Sequence, residues 1–326
     1  MNVRDIGEQG LLQRLQAFCP EELVGDDAAI LTPSPEQRLI VTTDVLVDGV
    51  HFSDRTTSPQ DAGWRAAAAN LSDLAAMGAT PMGITVGLGL PGDLAVAWVD
   101  GLYQGLTECL QPFDTPIVGG DVVRSPVTTI AITAFGQAHP DRIMRRSTAQ
   151  PHQAIVITGY HGTSRAGLEL LLNPSTPPLA QTQQDFFVKS HQRPNPRLDV
   201  LPLLRTVTDS VVTGMDSSDG LADAVIQICR ASGVGARLER SRLPTPPGLN
   251  EWVGQEQAIH WTLYGGEDFE LVLCLPSQDA EKLVAQLGEG AAIIGTTTVE
   301  PGIELIGTDG NPASELTLEQ GFQHYF

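Results

Sequence analysis

The sequence has 326 residues, 41% of them hydrophobic, which exceeds the roughly 250–300 residues at which one core stops growing, so two packed domains are expected. A formal net charge of -20 and only two lysines, Lys189 and Lys282, argue against nucleic acid as a partner, because binding a phosphate backbone rests on Lys and Arg. Neither lysine follows a glycine-rich loop, so there is no G-x-x-x-x-G-K-[ST] phosphate cradle, and few candidates remain for Schiff-base chemistry.

Cys19, Cys109, Cys229 and Cys274 lie far apart and read as reduced packing residues, not as a metal or disulfide framework. The first residues, from Met1 to Asp5, are charged with no apolar run behind them, and no segment reaches the apolar length of a membrane span. A cytoplasmic protein with no membrane partner is the expectation.

In chain order, residues 38–47 are rich in Leu, Ile, Val and Thr and predict a strand, and residues 60–77 predict a helix stopped at Gly78. Further strands are expected at 83–90, 116–118 and 128–134, with a helix over 95–110. A polar, basic stretch over 137–152 interrupts this pattern, and a new strand-glycine-helix unit runs from 154 to about 172. The expected organisation is an N-terminal domain over 1–137, a linker over 138–152 and a C-terminal domain over 153–326. The fold class is α/β of the α+β type.

Acidic residues recur beside glycines, apolar runs and helix ends. Asp44 sits within the apolar strand Leu39-Ile40-Val41-Thr42-Thr43-Asp44-Val45, where an ionised carboxylate is expensive unless it is paired or metal-bound. Thr42 and Thr43 add the oxygen donors that Mg²⁺ prefers; an edge strand with Asp44 in solvent is the other reading. Asp73 lies near the C-terminal end of its helix, where the macrodipole disfavours an anion. Gly25-Asp26-Asp27 and Gly119-Gly120-Asp121 combine glycine with carboxylate; each alone would also suit a plain turn.

Asp216-Ser217-Ser218-Asp219-Gly220 precedes an amphipathic helix, and capping explains Asp219 but not Asp216. Gly265-Gly266-Glu267-Asp268 precedes another apolar strand. Arg146 lies in the basic stretch, where a guanidinium can hold phosphates bidentately or serve as an ordinary linker charge. The segment from Ile155 to Gly162, followed by a helix, reads either as a tight βα turn or as amides offered to an anion. The recurrence of carboxylates at such places favours one shared multi-metal site over a scattered acidic surface.

In order and spacing these motifs, together with Gly49-Val50-His51-Phe52 and Asn70-Leu71-Ser72-Asp73, resemble the thiamine-monophosphate kinases of the aminoimidazole ribonucleotide synthetase-like superfamily. The resemblance runs nearly end to end. It implies a two-domain fold whose N-terminal sheet dimerises into a homodimer, a C-terminal α/β domain, ATP in the cleft between domains, and direct phosphoryl transfer to thiamine monophosphate. It also implies Mg²⁺-site residues at Asp27, Thr42, Thr43, Asp44, Asp73, Asp121, Asp216 and Asp219, and nucleotide contacts at Tyr103, Gly120, Asp121, Arg146 and Ser218.

His51, Glu267 and Phe322 are similar to the positions that hold the thiamine phosphate. Val122 and Ser217 depart from the family pattern, which usually has Thr and an aliphatic residue there. In the transfer this implies, Arg146 and the metal-held Asp121 are the catalytic pair, with no covalent nucleophile and little need of a general base, since the acceptor is an ionised phosphate. Two rival readings are another ATP-using synthetase of the superfamily and a non-catalytic divalent-cation-binding protein.

Overall fold

The alternating strands of the first half come together in one sheet. A computed structural model describes residues 1–20, 23, 28–174, 178–307 and 310–318. The chain forms two compact units, residues 1–74 with 79–140, and residues 75–78 with 141–326.

The first unit contains α1 (Val3–Gln16), β1 (Arg38–Val47), α2 (Pro59–Ala76, whose last two residues belong to the second unit), β2 (Thr80–Leu90), α3 (Val96–Leu110), β3 (Ile117–Arg124) and β4 (Thr129–Ala138). Its described strands lie in the order β1-β4-β2-β3, antiparallel except for the parallel β2–β3 pair. Strand alternation buries Ile84, Val86, Leu88, Ile130 and Ile132 on one face. Helices α2 and α3 carry the matching apolar residues Ala67, Leu71, Leu74, Leu102 and Leu106, all fully buried, and each large side chain among them contributes about 1.5–3 kcal/mol. The two helices touch backbone to backbone at Gly105, where a Cβ would lie 1.8 Å from the Gln60 carbonyl oxygen.

The opposite face of this sheet is open at β1, where Leu39, Val41 and Val45 are 49, 52 and 48% exposed. Three strands run longer than their composition predicts: β2 begins at Thr80, β3 continues from Ile117 to Arg124 and β4 reaches Ala138. Gly119-Gly120-Asp121 is therefore neither a turn nor a strand end. It lies inside β3, because parallel pairing with β2 carries the strand through both glycines.

The second unit contains β5 (Ala154–Ile157), α4 (Thr163–Leu172), α5 (Gln181–Gln192), α6 (Val200–Val207), β6 (Thr213–Asp216), α7 (Leu221–Ser232), β7 (Gly235–Glu239), α8 (Leu249–Val253), α9 (Gln255–Tyr264), β8 (Leu271–Leu275), α10 (Ser277–Leu287), β9 (Ala292–Thr298), β10 (Ile303–Ile306) and β11 (Pro312–Glu315). Its described strands form a mixed sheet in the order β11-β10-β7-β9-β5-β8-β6. Ile157, Val225, Ile228, Leu238, Val272 and Ile294 build the larger core, and Phe187, Leu249 and Trp261 build a smaller one with α4. Strands β5, β6 and β8 are buried along their whole length, which explains the unbroken apolar character of β5 and β8, while the short β6 ends on the polar Asp216. Among the described residues no helix is long and apolar enough to cross a membrane.

Candidate active site

Strand β1 delivers its polar residues to two different faces. Thr42 and Asp44 share the face covered by α2: the Thr42 hydroxyl donates to the Asp73 carboxylate, and the Asp44 amide donates to Asn70 Oδ1 at 3.2 Å. Asn70 is oriented for this by its own amide nitrogen, which donates to the Ala66 carbonyl at 3.0 Å. Thr43 points to the open face, where its hydroxyl lies 2.9 Å from that of Thr133. The pairing of Thr85 with both Thr133 and Gly119, and of Gly87 with Asp121, puts Asp121 on that open face too.

The first-unit metal candidates thus divide into Thr42, Asp44 and Asp73 on one side of the sheet and Thr43 and Asp121 on the other. Among the described residues no three His, Cys, Asp or Glu side chains form a ready-made metal cluster. The Thr42, Asp44 and Asp73 set still fits Mg²⁺ in its donor chemistry. It is oxygen-only, and Mg²⁺ is held by one or two carboxylates with waters and substrate phosphates and not by an all-protein cage. Asp27 and Phe322 lie outside the described residues.

Along β3 and α1 runs a cavity of about 570 Å³ whose lining includes Leu12, Leu15, Ile117, Tyr103, Gly120 and Asp121. Its size and largely apolar wall suit an aromatic base with a few polar contacts. Tyr103 is buried, packs 5.4 Å from the Phe18 ring, and has its phenol pushed well up by burial and then by the neighbouring Cys19. Asp121 is exposed and accepts the Val122 amide at 2.9 Å. Gly120 makes a close approach, but to protein: a Cβ there would lie 2.1 Å from the Val86 carbonyl oxygen.

His51 closes the loop after β1. Its Nδ1 accepts the Val47 amide at 3.1 Å and its own amide donates to the Val47 carbonyl at 3.0 Å, so the neutral ring carries its proton on Nε2.

In the second unit two loops are stitched together. The Ser217 amide donates to the Glu270 carbonyl at 2.9 Å, and the Glu267 amide donates to the Ser218 carbonyl at 2.6 Å. Asp216 ends β6 in a buried position, whereas Ser218 is half-buried and Asp219 exposed. Ser217, one of the departures from the family pattern, has a polar partner: its hydroxyl lies 3.0 Å from His161 Nε2. Because His161 Nδ1 faces the Gly159 carbonyl at 3.2 Å, that nitrogen holds the proton and Nε2 is left an acceptor, sharing the single Ser217 hydroxyl proton with the Glu270 carbonyl, 3.0 Å from the same oxygen. Burial above all, and then Arg197, lower His161 to about 4 against the Gly159 hydrogen bond, so the ring is neutral at pH 7.

Glu267 and Phe269 both adopt left-handed backbone, with φ of 67° and 54°, a conformation that costs non-glycine residues about 1–3 kcal/mol each and needs surrounding bonds to hold it. Asp268 supplies them. Its carboxylate accepts the Gly162 amide at 2.6 Å, the Thr163 hydroxyl at 2.6 Å and the Ser164 amide at 2.8 Å. The first turn of α4 does take an anion, and that anion is the protein's own Asp268. Burial pushes the Asp268 carboxyl up to about 7, against these three donors.

Glu270 is held by the Thr158 hydroxyl at 2.5 Å and by Arg197, which also pairs with Asp199. Burial pulls Arg197 down, but Glu270 and Asp199 outweigh it and hold the guanidinium above its ordinary value. Arg146 is exposed at the start of a short 3-10 turn, with its carbonyl tied to the Ser232 hydroxyl at 2.7 Å. His161, His191, Arg197 and the anchoring role of Asp268 are not evident in the sequence motifs. The one signal was a carboxylate, Asp268, lodged just before an apolar strand and in need of a partner.

The two units correspond to a class of two-domain α/β proteins. Residues 25–138 match the N-terminal domain, and residues 150–308 the C-terminal domain, of the AIR synthase related proteins. A thiamine-monophosphate kinase of Synechococcus elongatus is 53% identical over 99% of this chain and 98% of its own. The crystal structure of a thiamine-monophosphate kinase from Stenotrophomonas maltophilia superposes with a TM-score of 0.80 at 32% identity, covering 93% of this chain and 96% of the other. AaThiL complexed with AMPPCP and TMP superposes with a TM-score of 0.77 at 28% identity, over 100% of this chain and 99% of the other. The chain belongs to the thiamine-monophosphate kinases of the AIR synthase related family.

Proposed function

We propose that the protein transfers the terminal phosphoryl group of ATP directly to thiamine monophosphate, forming thiamine diphosphate. The observation that carries this reading is the 53% identity with a thiamine-monophosphate kinase over 99% of the chain, since it spans every motif described above. In the first unit, Tyr103, Gly120 and Asp121 are the nucleotide contacts, on the cavity along β3. In the second unit, Arg146 and Ser218 are.

Thr42, Asp44 and Asp73 are ligands for Mg²⁺ on the α2 side of the sheet, as are Thr43 and Asp121 on its other side. Asp27, Asp216 and Asp219 complete the proposed set. When bound, Mg²⁺ supplies the positive charge that two phosphate reactants need and that a protein with two lysines does not. The protein's own residues orient and discharge the reactants. Arg146 offers a bidentate donor to the transferring group, and His51 donates from Nε2 to the acceptor phosphate. Glu267 and the Phe322 ring hold the cationic thiamine. No side chain need take a proton from the attacking oxygen, because the acceptor phosphate is already ionised. The open face at Leu39, Val41 and Val45 is proposed to pair with a second copy as a homodimer.

The test is the Mg²⁺ dependence of thiamine diphosphate formation in Asp44→Asn, Asp73→Asn and Asp121→Asn. Each is expected to lose about a hundredfold in rate at limiting Mg²⁺ and to recover in part as Mg²⁺ is raised. Unchanged rates at limiting Mg²⁺ would sink the metal assignments, and no thiamine diphosphate from the unaltered protein would sink the reaction.

A further inference from the structure

The residue that holds the acceptor is rarely sufficient on its own, because a carboxylate must also be kept where the ligand needs it. Glu267 sits in left-handed backbone between Gly266 and Asp268. Its amide donates to the Ser218 carbonyl at 2.6 Å, and its Oε2 lies 3.8 Å from His191 Nδ1. His191 is buried and is placed by the Ser164 hydroxyl, 3.0 Å from the same nitrogen. The Ser164 amide in turn donates to Asp268. Backbone and side chain of Glu267 are thus both referred to the first turn of α4, and Asp268 is the link.

We propose that Asp268 is a positioning residue for acceptor binding: anchored by three donors on α4, it holds the neighbouring Glu267 in its left-handed conformation with its carboxylate beside His191. The inference rests on Glu267 holding the acceptor. It also separates the two substrates. Ser218 and its turn are fixed independently of Asp268, through the Ser217 amide on the Glu270 carbonyl and the Gly220 amide on the Ser217 carbonyl, 2.9 and 3.2 Å. Glu270 is itself held by Thr158 and Arg197. Releasing Asp268 therefore loosens residues 267–269, while the Ser218 turn, which shares the Glu267 amide bond with them, keeps its two other bonds.

The experiment is steady-state kinetics on the full chain, with thiamine monophosphate and ATP varied separately, for Glu267→Gln, Asp268→Asn, Thr163→Val and the double variant Glu267→Gln/Asp268→Asn. Asp268→Asn turns one accepting oxygen into a donor that faces amide hydrogens. It is expected to raise KM for thiamine monophosphate about tenfold and to leave KM for ATP within about twofold. Thr163→Val removes one donor with little change of shape and keeps the question answerable if Asp268→Asn fails to fold; about a threefold rise in the same KM is expected. In the Glu267→Gln background, Asp268→Asn should add nothing, since both act through one carboxylate.

An acceptor KM unchanged in both Asp268→Asn and Thr163→Val would overturn the proposal. So would effects that multiply with Glu267→Gln, or a loss of kcat with both KM values intact, which is the mark of a merely structural residue. If Glu267→Gln alone leaves the acceptor KM unchanged, it is the reading of Glu267 that fails, and the positioning role falls with it.

Discussion

Replacing Gly120 with alanine tests whether the Gly-Gly-Asp segment is built for the ligand or for the sheet. The added Cβ would stand 2.1 Å from the Val86 carbonyl oxygen and 3.1 Å from its carbon, where real Cβ atoms stay beyond 3.0 Å. Val86 cannot retreat, because β2 is paired on both sides, with β4 and with β3. The edge strand β3 must therefore move by about 1 Å, which costs about 1–3 kcal/mol as overpacking and about 1 kcal/mol more for a weakened ladder bond. A total of about 2–4 kcal/mol corresponds to a fall in Tm of roughly 3–6 °C for a protein of this size. Differential scanning calorimetry reads the shift, and KM for ATP should rise with it because Asp121 rides on the same strand. Gly119→Ala is the control, since its Cβ would meet only the Thr85 methyl at an ordinary 3.7 Å. Gly120→Ala melting with the unaltered protein, or Gly119→Ala proving equally harmful, would show that the missing Cβ of Gly120 does not serve the sheet.

Other consequences follow from the buried polar groups and the open sheet face. With His161 lowered to about 4 in the folded state and near 6.5 unfolded, its contribution is fully present above pH 6.5 and is lost as pH falls toward 4. The destabilisation caused by His161→Gln in urea titrations should therefore be about 2 kcal/mol smaller at pH 5 than at pH 7.5; an equal difference at both would contradict the neutral buried ring. Comparing variants is necessary because Asp268, raised to about 7, titrates with the opposite sign in both. Arg197→Leu leaves Glu270 buried without its cation and should cost about 3–5 kcal/mol in the same assay, with much of it regained on adding Glu270→Gln; no rescue would argue against the pair. Val41→Lys or Val45→Lys should convert a dimer to a monomer by light scattering with little change in Tm, and an unchanged mass would exclude this face as the interface.

Much of the fold is legible along the chain because its signals are local. Strand β1 runs over the residues its composition predicts, and α2 ends two residues before Gly78, whose φ is 72°. Gly119-Gly120-Asp121 misleads for a physical reason: two glycines before an aspartate read as a turn, yet here the missing Cβ accommodates the Val86 backbone across the sheet. Thr43 shows a different limit. Composition groups it with Thr42 and Asp44 as one oxygen cluster, but strand alternation sends its side chain to the other face. The network around Glu267 is harder still, because Asp268 binds residues about a hundred positions away, and His191 and Arg197 come from segments that carry no motif. Those partners are chosen by tertiary packing, which no spacing along the chain records.

One assay decides which acceptor the protein phosphorylates. Purified protein is incubated with ATP and Mg²⁺ in the presence of either thiamine or thiamine monophosphate, and the phosphorylated products are resolved by chromatography. Thiamine diphosphate should form from thiamine monophosphate with stoichiometric ADP, while thiamine is left unconsumed; phosphorylation of thiamine, or of neither compound, would contradict the proposed reaction.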